Sequence, residues 1–183
     1  MNWKTVTTTM LMGLAVASGP AFAATHLEQP NTGTHVTLVA KPSGPNVCGT
    51  LSFQNRAFFR VFPNATTSST PFVVPQGRTL VVTDVEWAAF GGVLGTNALA
   101  VGNTLVLKIF LVLGSSSAQV FRSRGLTLDA NSATGRPGSS EQLTAGFVVG
   151  PNVSICPAVN QEAPTFGATA YLDDIVLRGY LSP

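Results

Sequence analysis

Charged residues are scarce in this chain. Only 10% of the 183 residues are Asp, Glu, Lys or Arg, against about 25% in an ordinary soluble domain. The net charge of +2 is too small for electrostatic binding of nucleic acid. Coiled coils need heptads rich in Glu, Lys and Leu, and the sequence contains none. Intrinsic disorder requires low hydrophobicity, whereas 45% of these residues are hydrophobic.

Histidine and cysteine are also rare, with two His and two Cys in the whole chain. Two imidazoles are too few for a multi-histidine metal cage. His26 and His35 lie in or just after a polar N-terminal stretch, where little packing would hold a catalytic base in place. The hydrolase motif G-x-S-x-G, the zinc motif H-E-x-x-H and the P-loop do not occur. We therefore expect a protein that is not an enzyme.

The first 23 residues have the pattern of an export signal. Lys4 precedes an apolar centre at residues 10–17, and Ala21-Phe22-Ala23 forms an A-x-A cleavage site. That centre is too short to cross a bilayer of about 30 Å. We predict a cleaved bacterial signal peptide, a secreted or periplasmic protein, and no membrane span after signal removal. Residues 24–34 predict a flexible arm and residues 35–183 the folded domain.

The predicted export determines the expected oxidation state of the two cysteines. An oxidising compartment favours a disulfide between Cys48 and Cys156, the only pair in the chain. The loop that this bond closes contains most of the mature domain. In the chain-entropy model such a loop stabilises the fold by about 4–5 kcal/mol. We predict a bond that joins two loop–strand junctions.

Short apolar segments alternate with clusters of Gly, Pro, Asn and Ser, a pattern typical of all-β proteins. Leu105–Leu113 is apolar on both sides of the pleat, so it needs cover on both faces, from a second sheet with or without a neighbouring subunit. We predict a single jelly-roll-like β-sandwich of about 8–10 strands with one disulfide. The candidate strands are His35–Ala40, Thr50–Phe53, Ala57–Phe62, Pro71–Val74, Arg78–Phe90, Thr104–Leu113, Ala118–Arg122, Leu126–Asp129, Leu143–Val149, Val153–Cys156 and Thr169–Leu181.

Two pairs of carboxylates could carry chemistry. Asp84 and Glu86 are two positions apart on a candidate strand, so both point to one face. They fit a polar patch of an edge strand held by an arginine across the ladder, a calcium site, or a glycosidase pair. We favour the first reading, and calcium is the only candidate cofactor. Asp173 and Asp174 point to opposite faces unless a bulge lies there.

The aromatic residues suggest a core position and candidate contact positions. The strand pattern groups Trp87 with Thr83, Val85 and Ala89, which favours burial in the core, with a subunit interface or a sugar platform as alternatives. Tyr171 is the second candidate for ligand binding. Phe58 and Phe59 are consecutive, so one ring must point away from the core, which makes the pair a candidate interface between copies.

One phrase of the sequence resembles a group of uncharacterised secreted bacterial proteins. Residues 72–87 contain V-P-Q-G-R-T-L-V-V-T-D-V, similar to their phrase V-P-x-G-[KR]-x-L-V-[IV]-T-D-V, and residues 176–181, which end in Gly179-Tyr180-Leu181, are similar to their G-Y-L ending. The matched residues make up about a seventh of the mature chain. It implies a jelly-roll-like fold and export, and it implies no activity.

A comparison with chaperone–usher pilins is also instructive. Pilins are exported β-sandwiches with one disulfide, and the arm before His35–Ala40 could donate a strand to a second subunit. The cysteines here are further apart than in pilins, and the phrase around Pro75 and Gly77 is foreign to them. We therefore expect an exported structural, adhesion or recognition module with homo-oligomeric, glycan or cell-surface partners. The alternatives are a carbohydrate-binding module, a pilin-like fibre subunit and, least favoured, a glycoside-acting enzyme.

Overall fold

The computed structural model describes residues 34–41, 48, 56–91, 99–162 and 170–183. All of them belong to one compact unit, Thr32–Pro183. The signal segment, arm residues 24–33 and the candidate strand Thr50–Phe53 lie outside the described residues. The elements are β1 (Thr34–Lys41), β2 (Ala57–Val61), β3 (Thr79–Gly91), β4 (Thr104–Leu113), β5 (Ser116–Arg122), β6 (Leu126–Thr127), α1 (Ala130–Thr134), β7 (Gly138–Val149), β8 (Ser154–Glu162) and β9 (Ala170–Ser182).

The strands form two antiparallel sheets that pack together. The first sheet has the order β2-β1-β9-β3-β7. In the second, β4 pairs with β8 along one edge and with β5 and β6 along the other. After β3 the chain forms β4, β5 and β6 in the second sheet. It then returns to the first sheet with β7, crosses to the second with β8, and ends with β9 between β1 and β3 of the first sheet. This connectivity confirms the prediction of an all-β, jelly-roll-like sandwich.

The core lies between the two sheets. It combines inward side chains of the first sheet, such as Leu38, Val85 and Leu177, with Leu107 and Ile109 of β4. Each of these five is at most 1% exposed. Burying an aliphatic side chain of this size contributes about 1.5–3 kcal/mol. The hydrophobic contact between the sheets is therefore the main source of stability.

Strand β4 is covered on both faces, as its sequence predicts. Leu107 faces the core between the sheets. The residue before it, Val106, points to the opposite face of the strand and is 1% exposed. Further along that opposite face, Val112 packs with Cys48 and Cys156 in a second small cluster. The two cysteines form the predicted disulfide and are both fully buried. A bond within the chain therefore covers part of the second face.

Irregularities in two neighbouring strands change which residues face inwards. The pairing of β3 shifts between Val82 and Asp84 on both of its edges. The partner β9 shifts between Leu172 and Asp174. Leu172 and Ile175 both point into the core, although strict alternation predicts opposite faces for them. Alternation alone would place Leu172 on the outer face with Asp174, but a bulge at Asp173 adds one residue and turns Leu172 inwards.

Strands β5 and β6 lie end to end along the same edge of β4, separated by residues 123–125. In this gap the Ser123 N–H donates to the carbonyl of Leu107 at 2.8 Å. The Ser123 hydroxyl oxygen accepts from the Leu107 N–H at 2.9 Å. A side chain thus replaces one acceptor of the backbone ladder, which keeps a buried N–H satisfied.

Two segments differ from their predictions. Pro71–Val74, a candidate strand, is irregular and makes a single backbone bond to β2, from the Phe72 N–H to the Phe58 carbonyl. Its first residue, Pro71, and the residue that follows it, Pro75, have no N–H to donate to a ladder. Residues 131–140 are rich in Ser, Gly and Asn, a composition that predicts a surface loop, but they contain most of α1 and the start of β7. The Asp129 carboxylate caps α1 by accepting from the Asn131 N–H.

Candidate functional site

The central feature of the outer face of the first sheet is a cluster of three charges. Arg178 of β9 donates to the Asp84 carboxylate at 3.3 Å and to the Glu86 carboxylate at 2.8 Å. The cross-strand arginine expected for these carboxylates is therefore present. Their strand is not an edge strand, which corrects that part of the interpretation, because β3 lies between β9 and β7.

The cluster is partly exposed, with side-chain accessibilities of 46% for Arg178, 19% for Asp84 and 51% for Glu86. The hydrogen bond that Arg178 donates to Glu86 is the main cause of a raised Arg178 pKa, with the two carboxylate charges adding to it. Each carboxylate already accepts from a guanidinium. Within the described part of the chain, no group of three or more His, Cys, Asp and Glu side chains has a metal-binding arrangement.

The two candidate ligand-binding aromatics occupy different surroundings. Trp87 is 2% exposed and belongs to the core between the sheets. Its indole Nε1 is buried and has no hydrogen-bond partner among the described residues. Burial leaves neither face of the Trp87 indole free to stack on a sugar. Tyr171 is half-buried on β9 and stacks on Phe90, with ring centroids 5.9 Å apart.

The consecutive phenylalanines of β2 point to opposite faces, as predicted. Phe58 belongs to the core between the sheets. Phe59 points to the outer face, where the Lys41 ammonium lies 4.9 Å from the ring centroid. The exposed fractions are 5% for Phe58 and 9% for Phe59. The rings themselves therefore offer little accessible area to a second copy.

The bulge of β9 receives a buried arginine that sequence reasoning did not single out. Arg56, which immediately precedes β2, is 6% exposed. Its guanidinium donates to the carbonyl of Asp173 at 2.8 Å and to the carbonyl of Leu172. Burial lowers the Arg56 pKa, and the charges of Asp173 and Asp174 offset this only in part. The Asp173 carboxylate is itself paired with Arg136 at 3.0 Å.

A cleft of about 300 Å³ opens between β2 and β8. Arg56 and Phe58 line it on one side, the 71–74 segment on another, and residues 152–155 at the start of β8 on the third. Phe58 and Ile155 belong to the core cluster, so the cleft reaches the interior of the sandwich. Val73, on its wall, is 63% exposed.

A clue to this site is present in the sequence. Arg56 directly precedes the apolar segment 57–59, which is a rare place for a cation unless it is buried with partners. The three cleft segments are far apart in the chain, so spacing alone does not bring them together. No protein-family model, curated protein or solved structure matches the chain. Of the helices formed by described residues, none has the length and apolar character needed to cross a membrane.

Proposed function

We propose that this chain is an exported, non-enzymatic module that acts through surface contacts and assembles with further copies of itself. The observation that carries the proposal is the outer face of the first sheet. Two rows of apolar side chains cross it, and we call them the outer rows. One row is Tyr180, Val81 and Val148; the other is Val176 and Val39, which ends against the largely buried Phe59.

The outer rows suit contact with an identical face. Most sheets that leave one face in water carry polar residues there, whereas these five accessible side chains are apolar or aromatic. The ion pair between Arg178 and Asp84 lies between the rows, so the face carries both signs of charge. In a two-fold contact, each copy can offer its cation to the anion of the other. The low total charge leaves little electrostatic resistance to association.

The described acidic residues support a non-enzymatic role. Of the eight Asp and Glu in the chain, seven are described, all but Glu28. Each of the seven accepts a hydrogen bond or forms an ion pair with a neighbour within the fold: Asp84 and Glu86 with Arg178, Asp129 with Asn131, Glu141 with Arg124, Glu162 with Lys108 and Arg122, Asp173 with Arg136, and Asp174 with Ile175. These partners give the carboxylates structural roles at separate places on the sandwich.

The proposal requires that the protein is exported to the periplasm or beyond. The disulfide between Cys48 and Cys156 is compatible with an oxidising environment. The A-x-A pattern at Ala21–Ala23 supplies the sequence argument for export. Strand β1 pairs with β2 and β9 of its own sandwich, so its donation to a neighbour is not part of the proposal.

Sedimentation velocity tests the assembly. Val148 is 54% exposed at the end of one outer row, so Val148→Lys should hold the protein monomeric up to high micromolar concentration. The matched control is Val101→Lys, because Val101 is 58% exposed on a turn away from this sheet. We expect the sedimentation coefficient of the parent protein and of the control to rise with concentration. A parent protein that stays monomeric contradicts the proposal.

The pair of Tyr171 and Phe90 favours carbohydrate binding as a second candidate function. Stacked aromatic rings at a sheet surface can provide a platform for a sugar. If they do, Tyr171→Ala should abolish binding on a glycan array, while Tyr180→Ala on the same strand should leave it unchanged. An array on which the parent protein binds no glycan counts against this candidate.

A further inference from the structure

We propose that the cleft between β2 and β8 binds a small monocarboxylate with an apolar body, whose carboxylate pairs with Arg56. The site is separate from the outer rows, so the proposal holds for a monomer as well as for an oligomer. It assigns a ligand class to a cavity, and it does not require any catalysed step.

The walls of the cleft select the body of the ligand. Phe58 and Ile155 come from the core, and Phe72 packs against that core. An apolar group that enters here extends the interior of the sandwich and removes its own surface from water. The cleft volume of about 300 Å³ lies at the small end of ligand pockets. It therefore suits a short aliphatic or aromatic chain.

Arg56 selects the head group. A buried cation normally has a directly bonded anion, because its desolvation is costly. Among the described residues, the Arg56 guanidinium donates only to two neutral backbone carbonyls. These account for two of its five N–H donors. A carboxylate suits the remaining donors, because a guanidinium can bind both of its oxygens at once.

The nearby acidic side chains leave room for this anion. The Asp173 carboxylate pairs with Arg136, on the solvent side of the bulge. Asp174 is exposed, and its carboxylate accepts a hydrogen bond from the Ile175 N–H. Both lie close enough to act on Arg56 electrostatically. Arg56 is the one charged residue among the described residues that line the cleft, so a singly charged head group matches better than a phosphate.

Titration with octanoate, followed by amide NMR, tests the proposal. We expect saturable amide shifts confined to residues 57–58, 72–74 and 152–155. Octanol, which has the same chain and no charge, should bind at least tenfold more weakly, a loss of about 1.4 kcal/mol. Equal affinities for octanoate and octanol would overturn the assignment of Arg56 as the carboxylate partner. The absence of saturable shifts in the cleft would overturn the site itself.

Two substitutions of Val73, at the mouth of the cleft, test the site and should leave folding unchanged. Val73 is exposed, so Val73→Glu adds a negative charge beside the entrance without disturbing the core. We expect it to weaken octanoate binding about tenfold, while the neutral Val73→Gln keeps the affinity within about twofold. Arg56→Met should remove the preference for octanoate over octanol. If Arg56→Met does not fold, the Val73 pair decides, and equal octanoate affinities for the two variants contradict the proposal.

Discussion

At the scale of single residues, Gly179 shows how closely two strands can approach. It lies on β9 beside the bulge of β3, and its α-carbon faces the backbone at Val81 and Val82. A side chain at this position would run into the Val81 carbonyl oxygen. The obstacle is backbone in the middle of a sheet, so it cannot move aside as the end of a flexible side chain would. Gly179 is therefore required by space.

Replacing Gly179 by alanine should strongly destabilise the protein. The added methyl group forces β3 and β9 apart at the centre of the first sheet, at a cost of about 2–3 kcal/mol. Urea unfolding would measure this loss as a lower midpoint. Gly150→Ala is the matched control, since its new methyl group meets only Val153 at 4.0 Å. We expect the control to stay within about 0.5 kcal/mol of the parent protein. Similar losses for both variants would contradict the steric argument.

At the scale of elements, hydrophobic alternation predicts where strands form but not where they bulge. The apolar segment Leu105–Leu113 has an unambiguous pattern, and burial on both faces is confirmed as far as Val112, whereas Leu113 is 58% exposed. In β9 the same reasoning places Leu172 on the wrong face, because the extra residue at Asp173 shifts the alternation. A bulge is stabilised by contacts from elsewhere, here by the Arg56 guanidinium. Such contacts are not visible in a local pattern.

The break between β5 and β6 provides a test at this scale. Ser123→Ala removes the acceptor of the buried Leu107 N–H and leaves that donor without its partner. Leaving a buried donor unsatisfied costs about 1–3 kcal/mol. Ser117→Ala, on the exposed part of β5, should change the free energy of unfolding by less than about 0.5 kcal/mol. Hydrogen exchange supplies a second measurement, and the Leu107 amide should exchange faster in Ser123→Ala than in the control.

At the scale of the whole molecule, the sandwich was predictable and the cleft was not. The two-layer fold follows from many short apolar strands and one cysteine pair, which are properties of the chain as a whole. The cleft combines a residue before β2, an irregular segment containing Phe72, and the turn before β8. These segments become neighbours only when the edges of the two sheets meet. The few charges are likewise explained only in three dimensions, because Asp84, Glu86 and Glu162 find their cationic partners on other strands.

The disulfide acts on this same scale, because it links segments 108 residues apart. Closing so long a loop restricts the unfolded chain, and the expected contribution is about 4–5 kcal/mol. The double replacement Cys48→Ala with Cys156→Ala should therefore lower the free energy of unfolding by about this amount, a large part of the 5–15 kcal/mol typical of a domain. Urea unfolding with and without reductant measures this loss of stability.

Because both cysteines are fully buried, reductant should act slowly on the folded parent protein and much faster near its unfolding midpoint. The double variant serves as the control, since reductant should not change its midpoint, and rapid reduction of the folded parent protein would contradict the burial of the bond.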